Sequence, residues 1–171
     1  MTLPGAYGDS TLQLRMVVAV AWAVLAAGSL HSTMGGWEAA AGSRLRQVER
    51  THLVAAGSLA AVLAGSVELA VAGTGSAVVL VRAVLTWWGL AVLSGRVLGR
   101  PQSWVLPALT LFPLSYLGWD TGGALRWWNW PWASPDSVPC WTLTTGCLAL
   151  GALAWLLTPR RWRALAARGR R

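Results

Sequence analysis

Apolar residues cluster into five runs along the chain, and polar or proline-rich stretches separate one run from the next. Each run has about 17–22 residues, enough to cross a hydrocarbon core of ~30 Å as an α-helix. The pattern predicts an all-α fold: a polytopic transmembrane helix bundle that forms one integral-membrane domain over residues 1–171. The expected spans are residues 16–34, 53–73, 78–98, 103–119 and 138–157.

Glycine and proline mark the breaks between these spans. Gly73–Ser76 reads GTGS and predicts a tight turn between the second and third spans, and Gly99–Pro101 ends the third. The fourth span contains Pro107 and Pro113. Because proline lacks a backbone N–H and clashes with the preceding turn, we expect this span to be kinked or partly unwound. Residues 35–50 form a polar, basic connector with room for a short interfacial helix.

The composition agrees with a membrane protein whose main partner is the lipid bilayer. Only 12% of the residues are charged and the mean hydropathy is +0.49. Soluble domains carry roughly twice that share of charged residues. The net charge of +8 comes from fourteen arginines and six acidic residues, with no lysine. Because the arginines flank apolar spans and form no basic stripe with interleaved aromatic residues, we expect no nucleic-acid partner.

The distribution of arginine predicts the orientation of the bundle. If residues 158–171 form a cytoplasmic basic tail, eleven arginines face the cytoplasm and only Arg15 and Arg126 face outside. Cytoplasmic segments of membrane proteins are rich in arginine and lysine, so the pattern predicts five spans with the N-terminus outside and the C-terminus inside. We expect the first span to be retained as a helix. Arginine without lysine is typical of a GC-rich genome and favours the inner (plasma) membrane of a bacterium.

Two opposite charges lie within the predicted spans. Glu68 is near the outer end of the second span and Arg82 near the outer start of the third, both roughly 6–8 Å below the boundary at 1.5 Å per residue. Because an unpaired charge at this depth is costly, we expect an intramembrane ion pair. Such a pair serves either as a polar lining for a substrate or proton path or as a contact that locks the hairpin.

Two sets of small residues favour close helix packing. Gly57, Ala61 and Gly65 recur every four residues, which lets a partner helix approach the second span closely. Cys140 and Cys147 lie seven residues apart on one face of the predicted fifth helix. They form no redox or metal motif, and we expect them to act as small apolar packing residues.

The chain has two histidines, His31 and His52, at similar depth near the inner ends of the first two spans. Paired imidazoles on adjacent helices are what a metal or bis-histidine haem site needs. Met34 and Glu38 are the nearest further ligands. Because both histidines lie at the membrane interface, where they are readily solvated, we expect no cofactor. No hydrolase, metalloprotease, phosphate-loop or dinucleotide motif occurs, so the sequence nominates no enzymatic activity.

Residues 120–137 between the last two spans are rich in tryptophan and proline and include the stretch RWWNWPW at 126–132. Tryptophan concentrates where the bilayer meets water, because its ring is apolar and its N–H is polar. We expect an outer interfacial belt that sets the depth of the bundle. The alternative is an aromatic cover over the mouth of a substrate path. The residues concerned are Trp119, Arg126, Trp127, Trp128, Trp130 and Trp132.

The stretch LGRPQSWVLPALTLFPLSYLG at 98–118, followed by RWWNWP, resembles segments of small permease-like membrane proteins associated with bacterial ABC exporters. The resemblance implies a permease-like subunit whose ATPase is a separate chain. We therefore expect a non-catalytic membrane subunit of a transport assembly, with other membrane subunits and a cytoplasmic ATPase as partners. Two alternatives remain: a redox or haem-anchoring subunit that uses His31 and His52, and an accessory or assembly protein with no site of its own.

Overall fold

A computed structural model describes residues 10–29, 43–118, 120, 126 and 129–168 of the protein. Helices make up nearly all of this part of the chain, and no β-strand occurs in it, so the predicted all-helical class is confirmed. The five α-helices are α1 (Ser10–Gly28), α2 (Ser43–Ala72), α3 (Thr74–Val97), α4 (Val105–Leu117) and α5 (Val138–Arg168). Short 3₁₀ turns occupy Arg100–Gln102 and Trp130–Trp132.

Three of these helices have segments long and apolar enough to cross a membrane: Gln47–Ala72, Thr74–Val97 and Val138–Leu156. The apolar parts of the other two are shorter, at Leu14–Gly28 in α1 and Val105–Leu114 in α4. The 13 residues of α4 rise only about 20 Å, less than a hydrocarbon core of ~30 Å. The chain therefore has the composition of a membrane protein, with three helices of full spanning length among the described residues.

Two helices extend well past the predicted spans. Helix α2 begins at Ser43, inside the polar stretch that we predicted to be a connector, and α5 continues through Thr158–Arg168, the predicted basic tail. These additions are rich in arginine, alanine and leucine, which are among the strongest helix formers. The change from apolar to charged residues marks where the surroundings of a helix change, and backbone hydrogen bonding continues across it.

Helix α3 is the centre of the bundle and packs against each of the other four helices. In its most apolar window 56% of the residues are buried, against 28% in α2 and 22% in α5. Arg82, Ala83, Val84, Thr86 and Trp87 are all fully buried. Because these positions cover most of the helix circumference, α3 meets protein on nearly every side, whereas α2 and α5 keep large apolar faces exposed.

Small residues bring α3 and α5 into backbone contact. A Cβ on Gly89 would lie 2.7 Å from the carbonyl oxygen of Cys147, and one on Gly151 would lie 2.8 Å from the carbonyl oxygen of Gly89. Cys140, Thr144, Cys147 and Gly151 form the buried stripe on α5 that makes this approach possible. Both cysteines are free and buried, in the packing position that their spacing indicated.

The turn between α3 and α4 is held by one serine hydroxyl. Ser94 Oγ donates to the carbonyl oxygen of Gln102 at 2.6 Å and accepts from the backbone N–H of Leu106 at 3.4 Å. Gly99 has φ of 110°, a left-handed conformation that favours glycine. The hydroxyl thus ties the 3₁₀ turn and the start of α4 to the end of α3, and α4 folds back along the bundle.

Because successive helices run in opposite directions, the bundle has two distinct ends. One, here termed the loop end, holds Gly73, Gly118 and residues 129–137; Gly75 approaches Pro135 there. The opposite end holds the end of α1 and the early part of α2, where Ser29 Oγ lies 3.2 Å from His52 Nε2. At this opposite end the Arg96 guanidinium also stacks over the Trp155 ring, 3.2 Å from its centroid.

Replacing Gly89 with alanine is expected to destabilise the bundle by about 1–3 kcal/mol, because the added methyl group forces two helix backbones apart. The matched control is Gly146→Ala on α5, where an added Cβ meets nothing within 4 Å. Since glycine weakens a helix, the control is expected to be neutral or up to about 1 kcal/mol more stable. Denaturant unfolding in detergent measures both. Equal stability of the two variants would contradict the close contact.

Candidate functional site at the tryptophan-rich end of the bundle

Arg82, in the third turn of α3, has 0% of its surface exposed, and no acidic side chain that the structure describes lies within ion-pair distance of it. Its guanidinium instead donates to three backbone carbonyls of the loop before α5. Nη1 donates to Ser134 O at 2.8 Å, and Nη2 donates to Ala133 O at 2.6 Å and to Trp130 O at 3.2 Å. The buried cation therefore holds a loop in place, and its charge is spread over carbonyl dipoles.

The loop offers these carbonyls because its sequence prevents regular structure. Pro131 and Pro135 have no N–H, so the chain forms only a single 3₁₀ turn at Trp130–Trp132 before α5 begins. Three carbonyls of this loop then converge on Arg82, and two of them also accept from a backbone N–H: Trp130 O from Ala133 at 3.3 Å and Ser134 O from Ser137 at 3.1 Å. Only arginine has a planar fork of donors broad enough to reach several of them at once.

An aromatic contact reinforces the attachment of the loop to α3. The rings of Trp87 and Trp130 are 5.2 Å apart between centroids and inclined by 58°. Offset or tilted aromatic pairs of this kind contribute about 0.5–1.5 kcal/mol beyond the area that they bury. Trp87 Nε1 also donates to Thr110 Oγ1 at 3.1 Å, so one buried side chain joins α3, α4 and the loop.

Asn129 closes the other side of the loop. Its Nδ2 donates to Gly118 O at 3.0 Å, and the Arg126 N–H donates to the same carbonyl, also at 3.0 Å. A Cβ on Gly118 would collide with the Asn129 side chain, so only glycine fits at the end of α4. Asn129 is buried at 1% exposure, whereas Arg126 is exposed and lies 3.9 Å from Asp120. The asparagine thus joins the two ends of the segment 118–129.

The structure does not bring Glu68 and Arg82 together as an ion pair among the described residues. Glu68 Oε1 lies 3.1 Å from Arg15 Nη1 on α1, and the Glu68 side chain keeps only 10% of its surface exposed. Both charges occur at the predicted end of the bundle, but they belong to different networks, because α1 lies beside α2 and the loop carbonyls take up Arg82. The depth of a side chain along its helix follows from counting residues, whereas the direction in which it points around the helix axis depends on how the helices pack.

A cavity of about 370 Å³ opens at the loop end beside the Arg15–Glu68 pair. Its wall includes Val79 and Leu80 of α3 and, from the loop, Trp132 and Ser134. Trp130 and Trp132 are half-buried and pack against the core, so the described part of the tryptophan-rich segment leans over the bundle. The cavity combines one ion pair with apolar walls, a surface suited to a small amphiphilic or charged solute.

The small-residue positions of α2 face α3. A Cβ on Gly57 would collide with the indole of Trp88, one on Gly65 would lie 2.7 Å from Val81 Cγ2, and Ala61 is buried at 7% exposure.

His31, Trp119, Trp127 and Trp128 lie outside the described residues. His52 is exposed, and no cluster of three histidine, cysteine, aspartate or glutamate side chains within the described part of the chain could hold a metal.

Several contacts of the site have little signal in the sequence. Thr86 and Thr144 share a buried hydrogen bond at 2.8 Å between α3 and α5, and each hydroxyl is also within bonding distance of a carbonyl one turn earlier. Arg15 and Asn129 read as ordinary polar residues near predicted span ends. Asn129 gave some indication of its role, because a polar side chain between tryptophans in a proline-rich loop is expected to form hydrogen bonds with backbone groups.

Comparisons with protein-family models, with curated protein sequences and with solved structures found no match to this chain.

Replacing Arg82 with methionine is expected to lower the free energy of unfolding by about 3 kcal/mol, at ~1 kcal/mol for each hydrogen bond lost. Arg82→Lys keeps the charge but not the fork of donors, and is expected to be intermediate. Arg126→Met, an exposed position, is the control and should change stability by about 0.5 kcal/mol or less. The measurements are denaturant unfolding and protease cleavage in residues 120–137. Unchanged cleavage in Arg82→Met would mean that the arginine does not hold the loop.

Proposed function

We propose that this protein is a non-catalytic, multi-pass subunit of a membrane transport assembly, permease-like and energised by an ATPase on a separate chain. The observation that supports it is the open cavity at the loop end, which keeps the Arg15–Glu68 pair at its wall. An ion pair at the wall of an open cavity leaves its charges within reach of a solute. Here Arg15 retains 35% of its side-chain surface, so a solute in the cavity can reach the charges.

The exposed apolar faces of α2 and α5 are consistent with contact to other subunits of an assembly as well as with contact to lipid. Large side chains such as Val62, Val67 and Leu153 remain exposed on these helices. In a membrane such surfaces contact either lipid or the helices of neighbouring subunits. No nucleotide-binding motif occurs in the sequence, and for that reason the proposal assigns the energy source to a partner.

The proposal includes five membrane crossings, with the N-terminus outside and the C-terminus inside, in a bacterial plasma membrane. In this arrangement the loop end faces outward and the arginines of α2, of α3–α4 and of the end of α5 face the cytoplasm. Helix α4, with 13 residues, crosses as a short helix, and the carbonyl of Gly118 at its outer end accepts from the buried Asn129 side chain. Non-helical backbone is tolerated at depth where protein groups satisfy it.

Single cysteines test this topology after both native cysteines are replaced with alanine. Thr2→Cys and Ser134→Cys are expected to react in intact cells with a maleimide that cannot cross membranes. Gln47→Cys and Gln102→Cys are expected to react only after the cells are permeabilised. The pair Gln102 and Ser134 reports whether α4 crosses, and the pair Thr2 and Gln47 reports whether α1 crosses. If both members of a pair react in intact cells, the helix between them does not cross the membrane, and that part of the topology is wrong.

Purification of the full chain from the membranes of its host tests the assembly. We expect an ATP-hydrolysing subunit to be recovered in stoichiometric amount, because the proposal places the energy source on another chain. Recovery of a lone chain under mild detergent conditions would contradict the transport role and favour an accessory protein.

Measurements on the purified assembly then test whether the Arg15–Glu68 pair takes part in transport or only stabilises the helix packing. Glu68→Gln and Arg15→Gln should each reduce stability, and the double variant should regain part of it, because neither charge is then left alone. ATP hydrolysis is expected to stay below the wild-type rate in the double variant. Asp136→Asn, which removes an exposed carboxylate at the same end, is the control. Full recovery of hydrolysis in the double variant would make the pair purely structural.

A further inference from the structure

A second cavity lies on the side of the bundle, towards the end opposite the loop. It has a volume of about 430 Å³, within the range of ~300–1,000 Å³ typical of ligand sites. Helices α2 and α5 form its two walls and α3 forms its floor; Gly89 of α3 and Gly151 of α5 are among the lining residues, at the point where these two helices are in backbone contact. It does not share a lining residue with the cavity at the loop end. We call it the lateral groove.

The lining of the lateral groove is strongly asymmetric. Among the described residues that line it, Arg50, near the start of α2, is the charged one, and apart from Ser58 the others are aliphatic, small or indole. Arg50 is exposed and makes no hydrogen bond or ion pair with the side chains that the structure describes. A cation without a protein partner at one end of an apolar channel is complementary to an amphiphile with an anionic head and a hydrocarbon tail.

We propose that the lateral groove binds one acyl chain of an anionic glycerophospholipid from the surrounding bilayer, with the lipid phosphate on Arg50. The acyl chain lies over Gly89 and Gly151. Arginines close to the membrane surface attract anionic lipid headgroups, and clefts between helices bind them selectively. The proposal requires membrane location but not the transport role, because the loop-end cavity and its charges take no part in it.

The charge of Arg50 favours lipid over a second copy of this chain as the occupant. A second copy would have to place an acidic group in the membrane-facing part of its surface. Glu49 and Glu68 are the described acidic residues within the spanning helices, and neither is without a partner: Glu68 pairs with Arg15, and Glu49 has a contact of its own. An anionic phospholipid brings the required charge and hydrocarbon in one molecule. Its phosphate lies at the depth of a helix residue near the membrane surface.

Native mass spectrometry of the full chain in detergent tests the proposal, with phosphatidylglycerol and phosphatidylcholine of the same acyl composition as probes. The wild-type chain is expected to retain one phosphatidylglycerol in preference to phosphatidylcholine. Arg50→Gln should reduce that preference about fivefold, the factor that one arginine near an anionic surface contributes. Arg126→Gln, which removes an exposed arginine at the opposite end, is the charge control and should retain the preference.

A second pair of variants tests the apolar part of the groove without changing charge. Ala152→Phe places a ring in the groove from an exposed wall position of α5, and should abolish retention of both lipids. Ala149→Phe, exposed on the same helix and outside the groove, should leave retention unchanged. Equal loss in Arg50→Gln and Arg126→Gln, or full retention in Ala152→Phe, would overturn the proposal. A two-chain species that disappears in Ala152→Phe would assign the groove to a second copy and also overturn it.

Discussion

The burial of Arg82 constrains the rest of the structure more than any other single interaction. A guanidinium with no exposed surface depends on the protein for its hydrogen-bond acceptors, and here three loop carbonyls accept from its two terminal nitrogens. Proline prevents the segment before α5 from forming a longer helix, so these carbonyls can turn towards Arg82. The loop therefore folds over the end of α3, and Trp130 packs against Trp87. Without the guanidinium, Trp87 and Asn129 would be left to hold the described part of the tryptophan-rich segment.

The second constraint is how closely α3 can approach its neighbours. Glycine and alanine on α2 accept Trp88 and Val81, and Gly89 meets the backbone of α5. In lipid, where hydrocarbon outside a helix is as apolar as leucine inside a bundle, such close packing replaces the hydrophobic effect as the main attraction between helices. The lateral groove lies beside this close contact, and Gly89 and Gly151 are among its lining residues.

Prediction succeeded where a property belongs to a single helix. Apolar runs located the three helices of full spanning length, and the spacing of Gly57, Ala61 and Gly65 marked a face that meets α3. It failed for contacts that depend on rotation about helix axes. Glu68 and Arg82 are each near the depth expected for them, yet Glu68 pairs with Arg15. Helix ends were also misplaced at Ser43 and beyond Leu157, because charged residues can continue a helix into water.

The sequence by itself determined that the protein is built of apolar helices suited to a membrane. Its charges are sparse and its apolar runs are long, and in lipid a helix satisfies all backbone groups internally. The sequence also determined that one cation would lie among the apolar residues of the third helix. Tertiary structure decided which atoms meet that cation. Carbonyls of a loop about fifty residues further along the chain accept from Arg82, and a carboxylate only fourteen residues away does not, because helix packing brings the loop to the guanidinium and turns Glu68 towards Arg15.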